Sequence, residues 1–76
     1  MKPENLAQMA NDISATLALG REPSEAATEV AEHLKRSWEP TARRALVACW
    51  RTGQGEFTPI THAGVALLAA ESDAAG

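Results

Sequence analysis

Apolar residues recur along this chain at three- and four-residue spacing, in four segments separated by proline and glycine. Such spacing places one apolar face on an α-helix. The first segment runs from about Pro3 to Leu19, and Gly20 is a typical end signal. Its apolar stripe consists of Leu6, Met9, Ala10, Ile13 and Leu17.

The second and third segments meet at a proline. The second runs from about Pro23 to Ser37, and its apolar face comprises Ala26, Ala27, Val30, Ala31, Leu34 and Trp38. Because the residue before a proline is disfavoured in the α region, Pro40 ends this helix and opens a third, to about Thr52. The stripe of the third helix consists of Ala42, Ala45, Leu46 and Cys49, with Trp50 as a further candidate.

The fourth segment follows the glycines at positions 53 and 55. Thr58 is a good helix cap, Pro59 suits the first turn, and the predicted helix extends to about Ala70. Its apolar face comprises Ile60, Ala63, Gly64, Leu67 and Leu68. The sequence therefore predicts an all-α fold, a small bundle of about four short helices, with one domain over residues 1–71 and a C-terminal tail over residues 72–76.

Length and cysteine content limit how this bundle is stabilised. A chain of 76 residues buries only about 60% of its unfolded surface. Cys49 is the single cysteine, which excludes an internal disulfide, and His33 and His62 lack the spacing of zinc ligands. Small scaffolds without disulfides or metals usually need a partner, so we expect another chain to contribute stability.

The same features indicate a cytoplasmic protein without a membrane segment. A lone reduced cysteine suits the cytosol, and the first residues lack the apolar core of a signal peptide. The longest apolar run, residues 64–70, is too short to span a bilayer.

Charge is unevenly distributed along the chain. The net charge of −3 argues against general nucleic-acid binding. The middle of the chain is nevertheless basic, with cations at Lys35, Arg36, Arg43, Arg44 and Arg51. Two interpretations remain open for this basic row on the third helix: a docking face that includes Val47 and Trp50, or a solvated face with Arg43 paired to Glu39.

Other candidate residues also allow two interpretations. Trp38 continues the stripe of the second helix and is either a core residue or an interface residue at a helix end. His33 is expected to be a structural or surface histidine rather than a catalytic one, because no serine or cysteine is placed to act as its nucleophile. Because no general base, nucleophile or metal motif is evident, the sequence predicts a protein that is not an enzyme in its own right.

Three motifs occur in order along most of the chain. Residues 6–13 read Leu-Ala-Gln-Met-Ala-Asn-Asp-Ile, and residues 33–40 read His-Leu-Lys-Arg-Ser-Trp-Glu-Pro, followed by Arg43 and Arg44. Residues 53–60 read Gly-Gln-Gly-Glu-Phe-Thr-Pro-Ile. Together they resemble the delta subunits of soluble NAD-dependent molybdenum formate dehydrogenases. The chain departs from the family pattern at Ser37, Glu39, Thr41 and Ala42.

The resemblance implies a non-catalytic accessory subunit that docks on the catalytic alpha subunit, with beta and gamma subunits completing the complex. Its expected role is assembly, stability or cofactor insertion. The chain itself is expected to bind no cofactor, while the complex carries the molybdenum bis-guanine-dinucleotide cofactor, iron–sulfur clusters and FMN. The predicted partner-binding residues are His33, Lys35, Arg36, Trp38, Arg43, Arg44, Val47, Trp50 and Arg51.

Three other functions compete with this interpretation. One is a free-standing helical adaptor or regulator, for example a homodimer that uses Val47 and Trp50. Another is a small nucleic-acid binder with its recognition helix over residues 43–51, although the acidic net charge opposes this. An independent enzyme has the least support.

Overall fold

The described residues form a small bundle of four α-helices. The computed structural model describes the backbone of residues 3–75 and the side chains of residues 5–71. The helices are α1 (Pro3–Leu17), α2 (Pro23–Ser37), α3 (Pro40–Thr52) and α4 (Pro59–Ala75). Over these residues the backbone forms no strand, and the predicted all-α, four-helix architecture is confirmed.

Each helix begins at a proline, as the sequence predicted. Proline suits this position because its φ is already helical and it lacks an N–H group that the first turn would leave unsatisfied. The helix ends differ from expectation in two places. Helix α1 ends at Leu17 rather than Leu19, in a turn that places Gly20 at a φ of 73°. Helix α4 continues to Ala75 rather than ending near Ala70.

The extension of α4 has a compositional cause. Residues 70–75 contain three alanines and no glycine or proline, so nothing in this stretch stops a helix. The backbone of residues 72–75, expected to form a tail, is therefore helical, and Gly76 lies outside the described residues.

The core is apolar and draws on all four helices. Its largest fully buried apolar side chains are Leu6, Val30, Leu34, Leu46 and Val65. Most of the predicted stripe residues are buried or half-buried.

The prediction that Met9 and Leu67 lie in the core is wrong. Met9 is 42% exposed and Leu67 is 43% exposed. On α1, Ala7 and Ser14 are buried instead, and on α4 the buried face also includes Thr61, Val65 and Ala69. Because α4 is apolar or small around most of its circumference, the hydrophobic pattern alone does not define which face turns inward.

Helices α2 and α4 make the most extensive contact in the bundle. Gly64 permits their close approach, because a Cβ atom at this position would lie 2.6 Å from Cγ1 of Val30 and 3.2 Å from the carbonyl oxygen of Ala27. A distance of 2.6 Å is shorter than Cβ atoms in proteins adopt, so any larger side chain at position 64 would force α2 and α4 apart.

A polar clamp joins α1 to the start of α4. We use this name for Asn11, Ser14, Thr58 and Thr61. The Asn11 side chain bridges the loop before α4: Nδ2 donates to the Glu56 carbonyl oxygen at 2.8 Å, and Oδ1 accepts from the Thr58 N–H at 3.1 Å. These two bonds fix the point at which α4 begins.

Three hydroxyl groups form the other half of the polar clamp. Thr61 Oγ1 donates to Ser14 Oγ at 2.8 Å, and Ser14 Oγ donates to the Ala10 carbonyl oxygen at 2.8 Å. Because the single proton of Thr61 is used in this way, the Thr58 hydroxyl, 2.8 Å away, is the donor to Thr61. Ser14 is 1% exposed and Thr61 is 0% exposed, so the chain satisfies hydroxyls that water does not reach.

Candidate docking groove

An open groove of about 880 Å³ lies between the end of α2, the outer side of α3 and the last turns of α4. We call it the basic groove. It is lined by Lys35, Pro40, Arg43, Arg44, Val47, Ala48, Arg51, Thr52, Leu68 and Glu71. Five of the predicted partner-binding residues therefore lie together here: Lys35, Arg43, Arg44, Val47 and Arg51.

Helical periodicity on α3 builds one wall of the basic groove. Residues three or four apart lie on the same side of a helix, so Arg44, Val47 and Arg51 occupy successive turns. Arg44 and Arg51 are exposed, while Val47 is half-buried against the core. The wall thus presents an apolar side chain between two cations.

Lys35 links α2 to α4 through an ion pair at one side of the basic groove. Its Nζ lies 2.9 Å from Glu71 Oε2 and 3.1 Å from Glu32 Oε1. Hydrogen bonds to Glu71, and secondarily to Glu32, raise the pKa of Lys35 above its ordinary value of 10.5. The Lys35 ammonium is therefore already paired with carboxylates of its own chain.

Arg43 and Arg44 are neighbours with different environments. Arg43 is half-buried, and its Nη1 donates to the Lys35 carbonyl oxygen at 3.2 Å, which ties α3 to the last turn of α2. The alternative ion pair between Arg43 and Glu39 does not form. Arg44 is exposed, and its guanidinium makes no hydrogen bond or ion pair with any described residue.

The other predicted partner-binding residues lie outside the lining of the basic groove. Trp38 is half-buried and packs against the core, in agreement with the core interpretation, while its place in an interface stays a prediction. His33 is half-buried and Arg36 is exposed, both on α2.

Trp50 has a partner that the sequence did not indicate. Its Nε1–H donates to Nδ1 of His62 at 2.8 Å, and the two ring centroids lie 5.5 Å apart at a tilt of 53°. Nδ1 of His62 is therefore the acceptor of this bond. No local pattern could have revealed the pair, because the residues belong to different helices.

The side chains that line the basic groove have the chemistry to bind negative charge next to an apolar surface. Guanidinium groups bind carboxylates and phosphates through paired N–H donors. Within the described part of the chain, no group of three or more His, Cys, Asp or Glu side chains is placed to hold a metal ion. No helix among the same residues is both long and apolar enough to cross a membrane.

The fold and the groove together define a small all-α protein with a basic, partly apolar groove. The sequence model of a particular family, the NADH-dependent formate dehydrogenase delta subunit FdsD, matches residues 5–65. The match spans most of the chain, which therefore belongs to this family, and the resemblance seen in the three motifs is confirmed. No curated protein and no solved structure gives a significant match.

Proposed function

We propose that the protein is a non-catalytic accessory subunit that docks on the catalytic alpha subunit of a soluble formate dehydrogenase through the basic groove. In this role it supports assembly, stability or cofactor insertion in a cytoplasmic complex that also contains beta and gamma subunits. The observation that carries the proposal is the convergence of Arg43, Arg44, Val47 and Arg51 on one groove in a member of the delta-subunit family.

We assign the redox cofactors of the complex to its other subunits. Those cofactors are the molybdenum bis-guanine-dinucleotide group, iron–sulfur clusters and FMN. Iron–sulfur clusters are generally held by four cysteine thiolates, and this chain has one cysteine, which is buried in the core. The proposed contribution of this chain to formate oxidation is therefore a protein contact rather than a chemical step.

Removal and restoration of the chain in its native host would test the proposal. A tagged copy is purified by affinity, and the recovered subunits, the molybdenum per alpha subunit and formate-dependent NAD⁺ reduction are measured. We expect the alpha subunit to co-purify with the tagged chain. We also expect activity to fall in cells that lack the chain and to return with the wild-type copy.

The recovery of the alpha subunit and its molybdenum content together distinguish a role in assembly or stability from one in cofactor insertion. Loss of alpha subunit from cells without the chain, at unchanged molybdenum per remaining alpha subunit, indicates assembly or stability. Normal alpha-subunit recovery with reduced molybdenum content indicates cofactor insertion. A tagged chain that purifies alone, from cells whose formate oxidation does not depend on it, would contradict the proposal and favour a free-standing adaptor.

A further inference from the structure

We infer that the outer face of α4 is the apolar centre of the partner interface, where it packs against an uncharged, apolar helix face of the partner chain. This outer face consists of residues that are exposed or half-buried on the side of α4 away from the core: Pro59, Ala63, Ala66, Leu67 and Ala70. The inference rests on the proposed function and adds to the basic groove an adjoining surface and the chemistry of the segment that covers it.

No charge lies on the outer face of α4. Residues 59–70 include no Asp, Glu, Lys or Arg. The polar side chains among them, Thr61 and His62, are bonded within the chain. Leu67 is 43% exposed and Ala70 is also exposed, so this face presents apolar side chains alone.

The outer sides of the other three helices have a different character. Helix α1 exposes Gln8 and Asp12, α2 exposes Glu25 and Arg36, and α3 exposes Arg44. A helix at the surface of a free-standing bundle normally has a polar outer side, whereas a helix that is apolar on all sides is normally buried. We therefore expect another surface to cover the outer face of α4 in the assembled protein.

The outer face of α4 adjoins the basic groove, which indicates what covers it. Leu67 and Glu71 are four residues apart and so lie on the same side of α4 in successive turns. Glu71 lines the basic groove and pairs there with Lys35. A chain that occupies the groove therefore reaches the outer face of α4 directly across this ion pair. An apolar surface beside a charged one matches the apolar centre and polar rim of protein interfaces.

A second copy of this chain is a weaker candidate for the cover. From Pro59 to Ala70 the face is about 16 Å long and one helix wide. Each partner of a stable complex buries about 800 Å², which one contact between two such short helices does not supply. The pairing would also bring together two molecules that each carry a net charge of −3.

A lipid surface is disfavoured by the charges nearby on α4. Helices that lie on membranes generally carry Lys or Arg beside their apolar face. Residues 59–71 contain neither, and the charged residue next to Leu67 on this helix is the carboxylate of Glu71. Anionic headgroups would be repelled by it.

The side chains of the outer face define the segment that fits it. Alanines at positions 63, 66 and 70 allow a partner backbone to approach closely, and Leu67 projects beside them. A partner helix with apolar residues three or four positions apart would receive Leu67 between its own side chains. A charged side chain at that point would lose water without gaining an opposite charge, so the segment is uncharged there.

An exchange of Leu67 for a charged residue in the full complex would test the inference. The matched control is Met9 on α1, because the two side chains are 43% and 42% exposed. We expect L67D to lower the recovery of the alpha subunit about tenfold or more, and M9D to leave it within about twofold. Thermal melting of the two variants should shift by the same small amount, which separates lost binding from lost folding.

Two further measurements make the test independent of this one substitution. A70R adds a bulky cation to the outer face of α4, while A15R adds it to an exposed alanine of α1. We expect A70R alone to reduce recovery of the alpha subunit. A benzophenone amino acid placed at position 67 should crosslink to an apolar segment of the alpha subunit, and one placed at position 9 should not.

Several results would overturn the inference. Recovery that L67D and A70R leave at the wild-type value while R44E reduces it would show docking without α4, and the proposed function would stand. Crosslinks to the alpha subunit from position 9 but none from position 67 would have the same meaning. Self-association of the wild-type chain in sedimentation, abolished by L67D, would replace the partner by a second copy.

Flotation with vesicles of phosphatidylcholine and phosphatidylglycerol distinguishes the remaining occupant. Binding of the wild-type chain to these vesicles, abolished by L67D, would indicate a lipid surface and overturn the inference. If the wild-type chain recovers no alpha subunit at all, the proposed function itself has failed, and the inference falls with it.

Discussion

The polar clamp and the basic groove both place polar side chains on neighbouring helices, but they use their hydrogen-bonding groups differently. In the polar clamp, Ser14 and Thr61 are buried, and each hydroxyl bonds to another group of the same chain. In the basic groove, Arg44 is exposed and makes no bond to any described residue. Polar groups of the first kind maintain the fold, while those of the second kind are available to a partner.

Arg43 and Lys35 show that the difference lies in the environment and not in the residue type. Both are cations of the basic groove, yet Lys35 pairs with two carboxylates and Arg43 bonds to a backbone carbonyl of α2. They hold the walls of the groove in place. The consequence is that substitutions at neighbouring cations should separate into those that alter the groove structure and those that alter binding alone.

The largest expected effect comes from a substitution in α4, the helix that contributes to both the polar clamp and the basic groove. In G64V, the added side chain meets Val30, whose Cγ1 would lie 2.6 Å from the new Cβ. We expect a loss of about 3 kcal/mol in the free energy of unfolding, the upper end of ordinary overpacking. Urea denaturation of the isolated chain measures it. The matched variant A63V adds a similar branch at a half-buried neighbour and should cost clearly less; equal losses would refute the role given to Gly64.

A smaller loss should affect the polar clamp alone. T61V keeps the shape of the side chain but removes the donor to Ser14 and the acceptor for Thr58. Ser14 keeps its bond to the Ala10 carbonyl oxygen and loses only the proton that Thr61 donates, so we expect a cost of about 1 kcal/mol, which thermal melting should detect. The control T52V removes an exposed hydroxyl that bonds only within its own helix and should cost less than about 0.5 kcal/mol. Partner recovery by folded T61V should match that of wild type.

Loss of the Trp50–His62 hydrogen bond should have a still smaller effect. In H62F, the imidazole acceptor is replaced by a ring that cannot accept the Trp50 Nε1–H. Because His62 is exposed, water can take the place of the lost acceptor, and we expect a loss of about 0.5 kcal/mol in the free energy of unfolding. Urea denaturation followed by the emission of Trp50 in a W38F background measures it. A loss as large as that of T61V would contradict this order.

The smallest expected effect concerns the ion pair that borders the basic groove. Because the ionised carboxylates of Glu71 and Glu32 raise the pKa of Lys35, the stability from this pairing is fully present from neutral pH up to about 10.5 and is lost as the pH rises through the raised value. We expect a small alkaline decrease in the urea midpoint of wild type above that pH, and a smaller decrease in E71Q. E25Q, at an exposed position of α2, should behave like wild type; an E71Q profile identical to wild type would contradict the assignment.

The fold was largely predictable because its strongest signals are local. Prolines at positions 3, 23, 40 and 59 mark the start of every helix, and Gly53 marks the end of α3 with a left-handed φ of 76°. The inward faces of α2 and α3 were also predictable, since polar residues clearly define their outer sides.

The errors arose where a local pattern carries little information. Leu67 was assigned to the core because α4 has apolar residues on nearly every side, while the buried face in fact follows Thr61 and Val65. A threonine in a core is acceptable only because Ser14, on another helix, accepts its proton. Partners of this kind depend on tertiary packing, which the spacing of residues in one helix does not encode.

The candidate site was predictable in part for the same reason. The row of Arg44, Val47 and Arg51 follows from helical periodicity, so the sequence brought these residues together. The ion pair of Lys35 with Glu71 and the bond of Trp50 to His62 link different helices and were not foreseen. The sequence could thus identify the cations but not which of them are occupied within the chain.

The burial of Cys49 has a practical consequence. This thiol, the single one in the chain, is 7% exposed and belongs to the core cluster beneath α3. A maleimide or disulfide reagent reaches its sulfur only when α3 separates from the bundle, so the labelling rate reports how often the domain opens. The protein therefore carries an intrinsic kinetic probe, and slower labelling in the complex than in the isolated chain would measure directly how far a partner suppresses that opening.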